Sequence, residues 1–172
     1  MAYPDNTTIG HQGLAFLSIL LIVLEYEMVT IAQVFKRGKV FNKEFMSQFD
    51  EQHEKEVGGK APALGYPDTG NGRYAARLNY GDWFSFNNWQ RVHYNFLEQI
   101  TPMIIWIFIG SFYQPLAAAI LGFVYFFGRI FYSIGYCKSP KHRTAGAIIC
   151  DLGYIGAFIL SIVSIAQWQK YD

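Results

Sequence analysis

The sequence predicts an all-α integral membrane protein, a four-helix bundle built from a single domain of 172 residues. Three observations carry that prediction. Four segments are apolar over about the 20 residues that a helix needs to cross a bilayer. Hydrophobic residues make up 52% of the chain and charged residues only 16%, so the mean hydropathy stays positive at +0.13 even with one long polar connection included. Aromatic residues reach 18%, and their half-polar rings suit the two membrane–water interfaces. A soluble bundle would need polar helix faces that the last two segments lack.

The first expected span covers residues 14–35. Leu14 to Leu24 is almost wholly apolar. Glu25 and Glu27 follow, two apart, so they cannot share one helical face; at least one must meet a partner helix or an interface. The N-terminal M-A-Y-P-D-N-T-T contains Asp5 and no Lys or Arg, unlike a cleaved leader, so this span is expected to remain as an uncleaved anchor. Lys36, Arg37 and Lys39 close the helix with positive charge, which suits its dipole.

Residues 36–88 form a long polar connection. Its M-S-Q-F-D-E-Q-H-E-K-E-V stretch suggests a short amphipathic helix, and the Gly- and Pro-rich run after it suggests turns. D-W-F-S-F-N-N-W is expected at headgroup level, with Asn87 or Asn88 as the N-cap of the second span, 89–113, in which Pro102 can introduce a kink. Gln114 and Pro115 make a tight antiparallel link to the third span, 116–136. Pro140 stops that helix, and the fourth span, 144–167, ends at an interfacial Trp168.

Positive charge sets the expected topology. Of 14 Lys and Arg residues, nine lie from Lys36 to Arg91 and three in the third connection, at Lys138, Lys141 and Arg143; the second connection has none. Connections one and three therefore face the cytoplasm and both termini the opposite side. A net charge of +1 argues against nucleic-acid binding. Cys137 and Cys150 have neither disulfide-framework nor metal-ligand spacing, so no metal site is expected and both thiols read as core or interface residues.

Two polar stripes interrupt this apolar sequence. Arg91, Asn95 and Glu98 stand at i, i+4 and i+7; Arg129, Tyr132, Tyr136 and Arg143 stand at i, i+3, i+7 and i+14, so each set shares one helical face. Charges at membrane depth are costly and mark a protein interior, a partner or an aqueous cavity. Guanidinium groups suit carboxylates, a glutamate suits an ammonium, and Asn and Tyr add directional hydrogen bonds. A small zwitterion with surplus carboxylate satisfies all of them, and glutathione is such a molecule. Mutual neutralisation of Glu98 and Arg129, with the other arginines acting as positive-inside anchors, is the plainer alternative.

R-V-H-Y-N-F-L-E, followed by G-R-I-F-Y-S-I-G-Y and then Arg143, resembles the MAPEG superfamily of membrane-associated proteins of eicosanoid and glutathione metabolism, and within it the branches of microsomal glutathione S-transferase 3 and leukotriene C4 synthase. The resemblance is specific over Arg91 to Arg143, and the four-span layout extends it over most of the chain. It implies a homotrimer that binds glutathione as co-substrate between adjacent subunits at the cytoplasmic edge. By motif position it implies glutathione contacts from Arg91, His93, Asn95 and Glu98 on the second span and from Arg129, Tyr132 and Tyr136 on the third. Arg143 takes the place of the catalytic arginine that stabilises the thiolate, and Lys36 or Arg37 falls in a basic cluster of the first helix. The implied activity is a glutathione S-transferase of microsomal type, acting on lipophilic electrophiles or reducing lipid hydroperoxides, in the endoplasmic reticulum or a mitochondrial membrane. Two departures stand out. Gln99 replaces a common Tyr, and residues 36–88 exceed the usual connection, which suggests a cover for the site or a protein-docking surface. A non-catalytic scaffold on the same fold is the alternative function; a channel would need polar residues through the full membrane depth.

Overall fold

The computed structural model describes residues 6–170, and side chains from residue 9 onward. Every regular element among these residues is helical. The long helices are α1 (Asn6–Val40), α4 (Tyr80–Ser111), α5 (Pro115–Lys138) and α6 (Thr144–Trp168); α2 (Lys43–Ser47) and α3 (Asp50–Glu56) are short. Single 3-10 turns lie at Ala63–Gly65, Ala75–Arg77 and Pro140–Arg143. Three stretches are long and apolar enough to cross a membrane: Ile9–Val40, Pro115–Lys138 and Pro140–Trp168. The second expected span falls in α4, which is not among them. Asp82, Arg91 and Glu98 burden its first half, and its apolar run begins only at Ile100.

The chain divides into two compact units, one comprising the residues up to Glu27 and from Tyr94 on, the other Met28–His93. In the first unit, α5 lies against α6 with almost no side chain between the backbones. A Cβ on Gly128 would stand 2.6 Å from the Cys150 nitrogen, and one on Gly153 2.7 Å from the Tyr125 nitrogen. Gly146 meets the backbone of Tyr132, and Gly135 that of His142, equally closely. Small residues permit such approach where lipid supplies no hydrophobic drive for helix association. They also lock the antiparallel register, so that Arg129 stands level with Cys150. Gln12 Nε2 donates to Ser111 Oγ (2.8 Å), Ser164 Oγ donates to the Ile109 carbonyl (2.8 Å), and Trp106 meets Tyr154 edge-on at 4.6 Å. These contacts bring in α1 and α4. Large apolar side chains such as Leu20, Ile120, Phe131, Ile148, Leu152 and Ile155 remain exposed.

The second unit folds the long connection. Its core is Val40, Phe41, Met46, Ala75 and Phe86, with Phe45, Phe49 and Tyr74 packed on it. The single amphipathic helix expected from Met46 to Val57 is broken near Phe49 into α2 and α3. Asn42 Oδ1 caps α2 by accepting from the Phe45 amide (2.9 Å). Asp68 organises the next loop, accepting from the amides of Gly70 (2.8 Å), Gly72 (3.0 Å) and Ala75 (2.8 Å). The start of α4 is earlier than expected. Asn79 Oδ1 accepts from the Asp82 amide (2.9 Å) and caps the helix, whereas Asn87 lies inside it and donates to the Gly70 carbonyl (3.0 Å). Asn79 and Asp82 form the cap three residues apart, so the turn that looked interfacial is helical.

Candidate functional site

The first unit contains a cavity of about 280 Å³ lined by Asn95 and Gln99 of α4, Arg129 and Tyr132 of α5, Arg143 from the turn before α6, and Thr144, Ala147, Cys150 and Asp151 of α6. Arg129 is the deepest charge, with 1% of its surface exposed. It donates to Asn95 Oδ1 (2.7 Å) and lies between the rings of Phe96 (4.3 Å) and Tyr132 (4.6 Å). Arginine tolerates this setting because its planar, weakly hydrated cation stacks on aromatic faces. Arg143 stands over the ring of Tyr136 at 5.3 Å and within hydrogen-bonding reach of the Tyr132 hydroxyl. A guanidinium held by two phenol rings is oriented before any ligand arrives.

Of the residues expected at the site, the cavity brings together Asn95, Arg129, Tyr132 and Arg143. Tyr136 takes part through its contact with Arg143. Glu98 is exposed and does not line the cavity. Arg91 and His93 belong to the second unit, where Arg91 is exposed and His93 half-buried. Arg143 does not continue the stripe of Arg129 and Tyr132 on one helix, because α5 ends at Lys138. The turn Pro140–Arg143 reverses the chain and carries it back to them. Gln99 is engaged structurally as well, accepting from the Tyr125 hydroxyl (3.2 Å).

Three residues around this site were not assigned to it from the sequence. Cys150, expected to be plain core, is in contact with Arg129 and lines the cavity. Asp151 lines it too. Glu25 is 8% exposed, feels the charge of Arg129, and neither of its oxygens has a hydrogen-bond partner among the described residues. Glu27 is exposed, so the two glutamates separate to different faces as their spacing required. The basic pair closing α1 also resolves: Arg37, 3% exposed, donates to the carbonyls of Asp68 (2.7 Å) and Leu64 (3.3 Å) under the ring of Tyr66 (4.5 Å). It holds the connection together.

The MAPEG family model matches residues 14–164. The chain belongs to the MAPEG family. It is also 36% identical over 81 residues to an uncharacterized protein of Synechocystis sp.; the match covers 46% of this chain and 58% of that protein, so the chain spans under two thirds of its relative's length. Family membership and the three membrane-length apolar stretches together make this MAPEG protein an integral membrane protein.

Proposed function

We propose that this MAPEG protein is a membrane-bound glutathione transferase that conjugates glutathione to lipophilic electrophiles or uses it to reduce lipid hydroperoxides. The supporting observation is the cavity: two guanidinium groups, an amide and a phenol converge within apolar helices. Arg129, fixed by Asn95, offers a dry cation for a carboxylate, and Tyr132 and Tyr136 orient Arg143. Arg143 is the catalytic residue in this reading. A free thiol ionises near 8.5, so a few per cent is thiolate at neutral pH. Lowering that value by two units requires about 2.7 kcal/mol of preference for the anion; Arg143 is exposed in the single chain, and in this reading it supplies that preference once the adjacent copy and the bound ligand exclude water from it. The proton leaves to solvent, and the sulfur electron pair attacks the electrophilic carbon and expels its leaving group or opens its ring. With a hydroperoxide, sulfur takes the terminal oxygen as the lipid alkoxide leaves, and a second glutathione closes the disulfide and releases water.

In the same reading α4 is the fourth span and three copies assemble. A neighbouring copy would cover the exposed apolar residues of α5 and α6 and complete a cavity that falls just below the usual ligand range of roughly 300–1,000 Å³. Glu98, Arg91 and His93 are then offered to the ligand or to the adjacent copy, and the basic connections face the cytoplasm of an endoplasmic reticulum or mitochondrial membrane. Purified protein in detergent is expected to conjugate glutathione to a generic aryl halide electrophile. A folded preparation with no turnover and no glutathione binding would refute the reading.

A second reading, an accessory subunit that docks another protein, is favoured by one feature. The connection is a folded unit with its own core and a cavity of about 990 Å³ bordered by Phe49, His53, Tyr74, Arg73 and Arg77. Docking and catalysis use different parts of the chain and are compatible.

A further inference from the structure

Glu25 is a buried acid with no task in the conjugation chemistry. It lies on α1 in the first unit, and neither carboxylate oxygen has a hydrogen-bond partner among the described residues. It is enclosed within the single chain, so a neighbouring copy is not needed to bury it. The charge it meets is the buried guanidinium of Arg129. The other ionisable groups acting on it are Tyr125 of α5 and Cys150 of α6, both buried and uncharged when protonated. Glu27, Glu98 and Asp151 are exposed, and α4 brings to the cavity only Asn95 and Gln99, which do not ionise. Glu25 itself is not among the residues lining the cavity, so it reaches a ligand through Arg129.

Charge balance gives such a residue a part in binding. With the cavity empty, one buried anion offsets one buried cation. A ligand carboxylate docking on Arg129 adds a second anion to the same guanidinium. Both a like charge and dry surroundings disfavour the ionised form of a carboxyl group. Resting on the glutathione reading above, we infer that Glu25 couples ligand binding to proton uptake. It balances Arg129 in the empty site and becomes protonated when the ligand's carboxylate takes over that guanidinium. The proton comes from solvent, and the only bond made is O–H. Affinity is then greatest where Glu25 already holds its proton. It falls as pH rises into the range where the proton must be taken up, by at most about tenfold per pH unit for one proton.

Titration calorimetry of the detergent-solubilised protein with S-methylglutathione tests this. The methyl group removes the thiol proton, so thiolate formation contributes nothing. Runs in phosphate and in Tris, whose heats of ionisation differ, count the protons exchanged. Between about pH 6 and 9 the wild type is expected to take up protons, rising through a maximum that approaches one. Glu25→Gln, which keeps the shape of the protonated acid, is expected to lose that uptake, apart from the share of the ligand's own amine, which every variant shows alike. It is also expected to bind at least about fivefold more tightly than the wild type at the alkaline end. Glu25→Asp is expected to keep the uptake. A wild type whose binding heat is the same in both buffers at every pH overturns the coupling, as does a Glu25→Gln variant that takes up as many protons. A Glu25 that merely held Arg129 in place would make Glu25→Gln bind more weakly at every pH, which overturns it likewise. In each of these results the ligand is still bound and the glutathione site stands. A wild type that binds neither S-methylglutathione nor glutathione removes the glutathione reading itself, and the coupling with it.

Discussion

Two buried arginines divide the labour of this molecule. Arg37 and Arg129 are almost equally hidden, at 3% and 1% exposure, and both are stacked on aromatic rings. Their hydrogen-bond partners differ. Arg37 donates to two backbone carbonyls, Leu64 and Asp68, brought together by the loop that Asp68 organises. Its donors serve the chain itself. Arg129 donates to the side-chain oxygen of Asn95, meets Cys150, and borders a cavity with a second arginine. Burial of a cation is therefore no sign of function by itself. What separates the two is whether the surrounding groups leave space for a guest.

That contrast is open to breakage. The largest effect is expected from Arg143→Ala: a loss of about 10²–10³ in conjugation rate, the scale on which removing one preorganised donor to a developing anion acts, with the oligomer intact by light scattering. Arg129→Ala should come next, weakening glutathione affinity by roughly 10–100-fold, in line with about 1.5–3 kcal/mol for hydrogen bonds to a charged group. Arg37→Met should invert the pattern. It should destabilise the Met28–His93 unit by about 2 kcal/mol, seen as faster hydrogen exchange and proteolysis between residues 43 and 79, because two buried carbonyls lose their donor. Gly146→Ala should cost about 1–3 kcal/mol of thermal stability, since its Cβ would press into the backbone of Tyr132. Tyr136→Phe should have the smallest effect, a few-fold in rate at most, because the ring face that meets Arg143 is kept.

The site was legible where charge interrupts apolar sequence. Asn95, Arg129 and Tyr132 stand out from their neighbours, and helical spacing alone aligns each set. Arg143 was legible as a residue and misplaced as geometry. Its i+14 spacing suggests one continuous face, but Pro140 ends that option and the cavity forms through the turn. Glu25 and Cys150 were read without a role in the site and Asp151 was not singled out, because a single residue on an apolar helix does not reveal its neighbours; for Cys150 the glycine register of α5 and α6 supplies them. The fold of the connection was the least legible part. Its closure depends on Asp68 collecting three amides and on Arg37 spanning 27 and 31 residues to its carbonyls, and no local periodicity encodes such pairings. The beginning of α4 was misjudged because Asn79, Asn87 and Asn88 all have cap chemistry, and only the packing of Asn87 onto Gly70 assigns it to the helix interior.

The central claim is that the cavity around Arg129 is a glutathione site. Calorimetric titration of glutathione into the detergent-solubilised protein, run in parallel with Arg129→Ala, tests it most directly. Saturable binding by the wild type and a markedly weaker isotherm for the variant are expected. Equal affinity in the two proteins would contradict it, as would a folded wild type that binds no glutathione.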